Sequence, residues 1–323
     1  MFMAGIQGMG NYHDQNIMKP IHVLLIANPQ IIDEKRILRT YKDMYVRKNW
    51  KNVQKAFQPD VVMILGNLLN EGRAWNTMRW ESEIHRFNLL FMQIPSFKRV
   101  PFFYLPGKHD IGFGKDSSDE AYDRFRKVFG KTNYSFKIGN HSIVAIDTVS
   151  GQNNDLSFET THFIEKLGKN PNKEPRILFT HLPLYQPPNT KCEPRQHNLI
   201  NETSSNFVLK NVRPKLVFSG DNHDYCEIQH EPVNAMEVTV NSFNFAKNPS
   251  KPGFAMLSLY NPFDSSDSNQ IPTYAYSQCF LPNPYGITLS YIYMKRLPRY
   301  WKIAFKELTV IAFFVLATYL CCL

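Results

Sequence analysis

The stretch VPFFYLPGKHD, residues 100–110, contains the pattern on which much of this chain is built. A mainly apolar run enters a Pro-Gly turn, and a lysine, a histidine and an aspartate follow the turn at once. Short apolar runs bounded by turn residues are typical of buried strands. The stretch therefore predicts a core strand that delivers polar side chains to one edge of a sheet.

Four other apolar runs end in the same way, and amphipathic stretches separate several of them. The runs end in Asn28-Pro29-Gln30, Gly66-Asn67, Thr180-His181 and Gly220-Asp221-Asn222-His223. The amphipathic stretches predict helices at about 37–57, 75–91, 119–130 and 158–167, and a hairpin is predicted to turn at Gly139-Asn140. Alternation of strands and helices indicates an α/β fold, in which the carboxyl ends of the strands form the ligand crevice. We therefore expect the five polar turns to build one shared site.

Composition narrows the class of protein. The chain has 323 residues, of which 43% are hydrophobic, so it can bury a substantial core. Its net charge is +9, but no Lys/Arg-rich block is interleaved with aromatic residues in the pattern of a nucleic-acid-binding surface. We therefore expect no nucleic-acid partner. Residues 1–20 have neither the basic start nor the continuous apolar run of a signal peptide, and we expect them to be disordered.

The C-terminal part of the chain differs from the rest. Five cations and no acid lie between Lys295 and Lys306, and an uncharged run fills residues 308–323. We interpret residues 286–302 as a basic membrane-proximal linker and 303–323 as a transmembrane helix, because a helix on a protein core would have a polar face. The alternative is a C-terminal helix that belongs to the core.

Other features bear on the compartment and point in different directions. A lone C-terminal span with its basic side toward the domain places that domain in the cytosol. Three N-glycosylation sequons, at Asn133, Asn140 and Asn201, point instead to the lumen. Cys226 and Cys279 could pair if the domain is luminal. The sequence leaves the side of the membrane open.

In the order and spacing of its polar turns, the chain resembles the calcineurin-like metallophosphoesterases. It is most similar to the endoplasmic-reticulum members that remove ethanolamine phosphate from GPI-anchor glycans. The matching stretches are ANPQIID, DMYVRKNW, PDVVMILGNLLNEGR, GKHDIGFG, THLPLY, SGDNHDYCEIQH and VNSFNFAKNPSKPGF. The resemblance implies a four-layer α/β/β/α sandwich with two mixed sheets, over residues 21–285. It also implies a pair of Mn, Zn or Fe ions that clamp a phosphate and activate a water.

The resemblance assigns family roles to individual positions of this chain. His109 and Asp110 fall on the catalytic turn and are retained as vestiges, and Arg73 is a candidate for substrate phosphate. The positions equivalent to metal ligands are Asn28, Gln30, Asn67, Lys108, His181, Asp221 and His223. The family has carboxylates where this chain has Asn28 and Asn67, an asparagine at Lys108 and a histidine at Asp221.

These substitutions change the chemistry of the predicted site. An amide oxygen can ligate a metal but does not offset its charge, and a protonated lysine has donors only. We therefore hypothesise that Lys108 forms an ion pair with Asp221 in the volume of the second metal, and that the site binds no metal or one weakly held divalent ion. The alternatives are that Lys108 points to solvent, that Asp221 makes a local turn, and that Arg73 is a surface charge.

The expected function is that of a membrane-anchored metallophosphoesterase-like protein that has lost most or all catalysis. The family role implied by the resemblance is GPI-anchor remodelling and transport from the endoplasmic reticulum to the Golgi. The implied location is the membrane of the endoplasmic reticulum or early secretory pathway, and the implied partners are GPI-anchored proteins or the GPI glycolipid. One alternative is an active metal-dependent phosphodiesterase with an atypical ligand set. Another is a remnant protein with no partner.

Overall fold

A computed structural model describes residues 20–31, 36–92, 100–151, 155–170, 174–187, 199–222, 224–245, 251–260 and 273–284. The chain divides into two compact units, Met1–Leu281 and Pro282–Leu323. Three predicted segments lie outside the described residues: the disordered segment 1–20 except for residue 20, the linker 286–302 and the span 303–323. Within the described ranges, no helix has the length and apolar character needed to cross a membrane.

The described residues form two sheets and six α-helices. The strands are β1 (Ile21–Ile26), β2 (Val61–Leu65), β3 (Phe102–Leu105), β4 (Tyr134–Ile138), β5 (His141–Ala145), β6 (Arg176–Phe179), β7 (Pro214–Ser219), β8 (Cys226–His230), β9 (Ala235–Thr239), β10 (Gly253–Leu259) and β11 (Tyr274–Phe280). The helices are α1 (Arg36–Phe57), α2 (Thr77–Phe91), α3 (Lys108–Ile111), α4 (Asp119–Phe129), α5 (Phe158–Lys169) and α6 (Glu202–Val212).

Short polar residues fix where several helices begin. The side chains of Asn76, Ser118, Ser157 and Asn201 each accept a hydrogen bond from the backbone N–H three residues further on, at the start of α2, α4, α5 and α6. Such caps satisfy N–H groups that the first helical turn leaves unpaired. At the other end of α4, Gly130 adopts a φ of 94° and ends the helix.

Both sheets are mixed. The first has the order β11-β10-β1-β2-β3, in which β1, β2 and β3 are parallel and β10 and β11 run antiparallel to their neighbours. The second has the order β4-β5-β6-β7-β9-β8, in which β5, β6, β7 and β9 are parallel and the two edge strands are antiparallel. The parallel strands of each sheet therefore present their carboxyl ends along one edge.

Successive side chains of a strand point to opposite faces, and both faces of each sheet are buried. One cluster joins the inner faces of the two sheets and contains Leu25, Met63 and Leu105 with Ile143, Phe179 and Phe218. The outer faces pack on helices through a second cluster, which contains Leu24, Val62, Trp50, Phe87, Val144, Leu178, Ile164 and Val208. The four-layer α/β/β/α arrangement expected from the sequence is therefore confirmed.

The structure also tests the local predictions. The hairpin turning at Gly139-Asn140 is confirmed, because Ile138 lies opposite His141 in the β4–β5 register. The suggested Cys226–Cys279 disulfide is wrong: Cys226 is disulfide-bonded, whereas Cys279 is a free cysteine. Cys226, at the start of β8, is already committed to another sulfur and therefore cannot bond to Cys279 in β11.

Candidate functional site

The polar turns after five strands converge at one edge of the sandwich. Asn28, Asn67 and Lys108 follow β1, β2 and β3, while His181 and Asp221 follow β6 and β7 of the other sheet. The ring of His181 joins the two sheets, because its Nδ1 lies 2.7 Å from the carbonyl oxygen of Leu65 at the end of β2. The shared site is therefore present, except that His223 lies outside the described residues.

Two glycines allow the loops after β2, β3 and β6 to approach one another closely. Gly66 has a φ of 86°, and a Cβ placed on it would overlap the ring of His181. A Cβ on Gly107 would overlap the backbone nitrogen of Asn67. Any larger residue at either position would push the loops after β2, β3 and β6 apart.

The predicted Lys108–Asp221 pair is confirmed. Lys108 Nζ donates to Asp221 Oδ2 at 2.8 Å, and the exposed fractions of the two side chains are 16% and 4%. The other carboxylate oxygen of Asp221 lies 3.4 Å from His181 Nε2. We call Lys108 and Asp221 the ion pair of the site.

The environment of Asp221 explains its charge. Burial by itself would raise the pKa of this carboxyl group, but the His181 ring, whose Nε2 lies 3.4 Å away, and the ammonium of Lys108 outweigh it. The pKa is therefore held well below its ordinary value of 3.8, and the group is an anion at neutral pH. A buried carboxylate of this kind depends on its cationic partners.

Asn28 and Asn67 form a hydrogen-bonded amide pair with a defined direction. The backbone N–H of His109 donates to Asn67 Oδ1 at 3.0 Å, and a backbone N–H can only donate, so this atom must be the amide oxygen. Asn67 Nδ2 then donates to Asn28 Oδ1 at 3.0 Å. Asn28 Nδ2 is left as a buried donor without a hydrogen-bond partner among the residues that the structure describes.

Four site residues adopt the left-handed backbone conformation. Their φ values are 46° for Asn28, 37° for Gln30, 52° for Asn67 and 58° for Asp221. Asn and Asp tolerate this region better than most residues, whereas Gln does so less readily. Residues held in such conformations cluster at functional sites, which agrees with the placement of these four at the converging loops.

Asp110 has a role that sequence reasoning did not find. Its carboxylate accepts the backbone N–H groups of Leu68, Leu69 and Gly107 at 2.8–3.1 Å, so it ties the loop after β2 to the loop after β3. Burial raises its pKa to about 6, while the three N–H donors act in the opposite direction. Asp110 therefore positions Asn67 and Lys108, rather than facing a ligand.

The outer part of the site contains His109 and Arg73. His109 Nδ1 donates to the carbonyl oxygen of Asn70 at 2.7 Å, which fixes the ring. Arg73 donates its backbone N–H to His109 O at 3.2 Å, and its guanidinium lies 3.8 Å from a carboxylate oxygen of Glu71. Gln30 donates to the side chain of Asn70 at 3.2 Å, and its own Oε1 has no partner within the described part of the chain.

The loop after β9 holds the turn that follows β1 through hydrogen bonds. Sequence analysis did not predict this role. Ser242 Oγ donates to the carbonyl oxygen of Asn28 at 3.2 Å. Asn244 Nδ2 donates to the carbonyl oxygens of Pro29 and Gln30, each at 3.0 Å. The only available signal was the VNSFNF stretch in the resemblance, which gave no role to either side chain.

The described residues do not fit the pair of divalent metals that the fold implies. Asp221 is the one carboxylate among the ligand-equivalent positions, and Lys108 already neutralises it. The amide at the bridging position donates to Asn28, whereas a bridging ligand must offer lone pairs to both ions. Within the described ranges, no group of three or more His, Cys, Asp or Glu side chains is arranged to hold a metal ion.

Comparison with known proteins identifies the family. The profile of the calcineurin-like phosphoesterases matches residues 35–225. The chain is 34% identical over 308 residues to Cell division control protein 1 of Saccharomyces cerevisiae, covering 83% of this chain and 62% of that protein. It is 30% identical over 278 residues to Metallophosphoesterase 1 of Rattus norvegicus, covering 73% and 66%. The chain thus spans less than two thirds of the length of these curated relatives.

A solved structure agrees on the fold. A dimetal phosphatase from Danio rerio superimposes with a TM-score of 0.54 at 14% identity, covering 74% of this chain and 93% of that one. Likeness at this level of identity concerns the fold alone. The profile match extends over more than half of the chain, and the yeast and rat relatives align with most of it. On these grounds the chain belongs to the calcineurin-like phosphoesterase family.

Proposed function

We propose that this chain is a family member that binds a phosphodiester-bearing ligand without hydrolysing it and without a pair of metal ions. The observation that carries the proposal is the 2.8 Å ion pair between Lys108 and Asp221. In the family, the residues at these two positions bind the same metal ion. A side-chain ammonium at that place repels a divalent ion and offers no lone pair to it.

The outer part of the site supports a phosphate-containing ligand. Lys108 and Arg73 are partly exposed cations with nitrogen donors, and His109, whose Nδ1–H donates to Asn70, is partly exposed beside them. Charge-assisted hydrogen bonds from such donors suit phosphate oxygens. Similarity to the enzymes that act on GPI-anchor glycans favours a glycan with an ethanolamine-phosphate diester as the ligand. We place the protein at a membrane of the early secretory pathway, where it would bind GPI-anchored proteins or their glycolipid.

The test compares the full-length chain in detergent with a variant whose ligands are restored, N28D/N67D/K108N/D221H. For the natural chain we expect less than one equivalent of Mn or Zn, no turnover of bis(p-nitrophenyl) phosphate, and binding of a synthetic mannose that carries an ethanolamine-phosphate diester. For the restored variant we expect two metal equivalents and measurable turnover, because carboxylates and imidazole again surround the ions.

The matched control is N28D/N67D, which restores both carboxylates but keeps the ion pair of Lys108 and Asp221. We expect this control to bind less metal than the fourfold variant and to show no turnover. Two metal equivalents with turnover in the natural chain would instead support an active phosphodiesterase. Absence of both metal and glycan binding would refute the binding function.

A further inference from the structure

The structure distinguishes the three sequons, which are equivalent in the sequence. Asn133 is 8% exposed, and both ends of its side chain are bonded in the core. Its Nδ2 donates to Thr160 Oγ1 at 3.1 Å, and its Oδ1 accepts the backbone N–H of Asp147 at 2.8 Å. A glycan is attached through Nδ2, so a sugar on Asn133 would have to occupy packed protein interior.

The second sequon, at Asn201, belongs to a helix cap. Asn201 Oδ1 accepts the backbone N–H of Ser204 at 2.7 Å at the start of α6. Asn201 is half-buried. The pKa of the nearby Asp155 carboxyl group is lowered mainly by the hydrogen bond from the Ser204 hydroxyl, and Asn201 makes a smaller contribution. Attachment of a sugar would compete with this contact between α6 and the loop that precedes α5.

The remaining sequon, Asn140-His141-Ser142, lies at the tip of the β4–β5 hairpin. Asn140 is exposed in the two-residue turn that follows Ile138. β5 runs parallel to β6, and His181 follows the carboxyl end of β6, so Asn140 lies at the opposite edge of this sheet from the candidate site. A glycan at this tip would project into solvent and leave the candidate site open.

An independent observation concerns the compartment. Cys226, at the start of β8, is disulfide-bonded. Structural disulfides form and persist in the oxidising lumen of the secretory pathway and are rare in the cytosol. The lumen is also the compartment in which N-glycans are added to Asn-X-Ser/Thr sequons.

We propose that Asn140 is the N-glycan acceptor of this domain, which therefore faces the lumen, and that Asn133 and Asn201 carry no glycan. The donor is an oligosaccharide linked to a lipid pyrophosphate. Asn140 Nδ2 forms a bond to the anomeric carbon as the bond from that carbon to the pyrophosphate oxygen breaks. Nδ2 loses one proton, and the lipid pyrophosphate leaves with the bonding electrons.

The test expresses the full-length chain in eukaryotic cells and compares its gel mobility before and after digestion with peptide N-glycosidase. We expect the natural chain to show a shift that corresponds to one glycan. N140Q removes the acceptor and S142A removes the sequon hydroxyl, so both should abolish the shift. S142T keeps a sequon and should retain it, which separates loss of the acceptor from a change in the hairpin.

The matched controls are N133Q and N201Q, which should leave the shift unchanged in any molecule that folds. The assignment to Asn140 would be overturned if the mobility shift were lost in N201Q but kept in N140Q. It would also be overturned if the glycosidase left the mobility of the natural chain unaltered. Metal content and turnover do not depend on this glycan. Failure here is therefore distinguishable from failure of the proposed binding function.

Discussion

The amide pair, Asn28 and Asn67, and the ion pair, Lys108 and Asp221, occupy the same strand-end site but differ in chemistry. The amide pair is neutral and held by hydrogen bonds of 3.0 Å, one of which comes from the backbone of His109. The ion pair places two opposite charges 2.8 Å apart between the two sheets, with little exposure to water.

The difference concerns how each pair tolerates loss of a partner. A neutral amide that loses a partner leaves one unpaired polar group, which costs about 1–3 kcal/mol. A buried charge that loses its partner costs about 3–5 kcal/mol, although the intact pair need not stabilise the fold. The ion pair therefore couples its two residues more strongly than the amide pair does, and any return to metal binding would have to change both charges together.

The largest effect is expected for K108M, which keeps most of the aliphatic volume and removes the charge. It leaves Asp221, only 4% exposed, without its ammonium partner. We expect the free energy of unfolding to fall by about 3–5 kcal/mol at neutral pH. Urea denaturation with chelator present provides the measurement, so that bound metal cannot contribute.

The matched control is K137M, because Lys137 also pairs with a carboxylate, that of Glu174, but is 62% exposed. A surface pair of this kind contributes about 0–1 kcal/mol. The double variant K108M/D221N should recover part of the loss, since no unpaired carboxylate remains. Equal costs for K108M and K137M would show that the ion pair is not effectively buried.

The next effect is a change in the pH dependence of stability, expected when the ion pair is altered and not when the amide pair is altered. The folded pKa of Asp221 lies below its ordinary value of 3.8, so the carboxylate contributes stability above about pH 4. That contribution is lost as the pH falls through the lowered pKa. In K108M one cation is missing, so the pKa of Asp221 should rise. The fall in the free energy of unfolding at acidic pH should therefore begin at a higher pH.

The measurement is the free energy of unfolding between pH 2 and 7 in chelator, for K108M and for the amide-pair variant N67A. N67A changes no titratable group, so its curve should run parallel to that of the natural chain. A parallel curve for K108M as well would mean that Lys108 does not influence the titration of Asp221.

The part of the site that depends on which residues follow the strands at one edge of the sheets was predictable from the sequence. The five apolar runs that end in polar turns predicted the converging edge, and the pairing of Lys108 with Asp221 followed from two substitutions at positions that would share one ion. The first inference needs only strand order, whereas the second also needs the metal-ligand positions that the family resemblance supplies. The burial alternation of Leu24 and Leu25 between outer and inner clusters likewise follows from the two-residue period of a strand.

Other features depend on distances that a single sequence does not contain. Asp110 was expected to be a catalytic vestige, but its carboxylate faces three backbone N–H groups, which depends on how two loops pack. The direction of the amide pair depends on the position of one backbone N–H, that of His109. The Cys226–Cys279 suggestion failed because the spacing of cysteines along the chain does not reveal which of them lie within bonding distance of each other.

The smallest effect concerns the two members of the amide pair, compared through N67A and N28A. Asn67 and Asn28 are matched in burial, at 1% and 0% exposed, and in backbone conformation, with φ values of 52° and 46°. The strain of an alanine at positive φ and the volume lost are therefore similar in both variants. N67A also leaves the backbone N–H of His109 without its acceptor, whereas N28A removes a donor that was already unpaired. We expect N67A to lower the free energy of unfolding by about 1–2 kcal/mol more than N28A does in urea denaturation.

Because each residue bonds to the other, the double variant should cost less than the sum of the single ones. Equal single costs and strict additivity would mean that the two amides act independently, and the described direction of their hydrogen bonds would then have no energetic consequence.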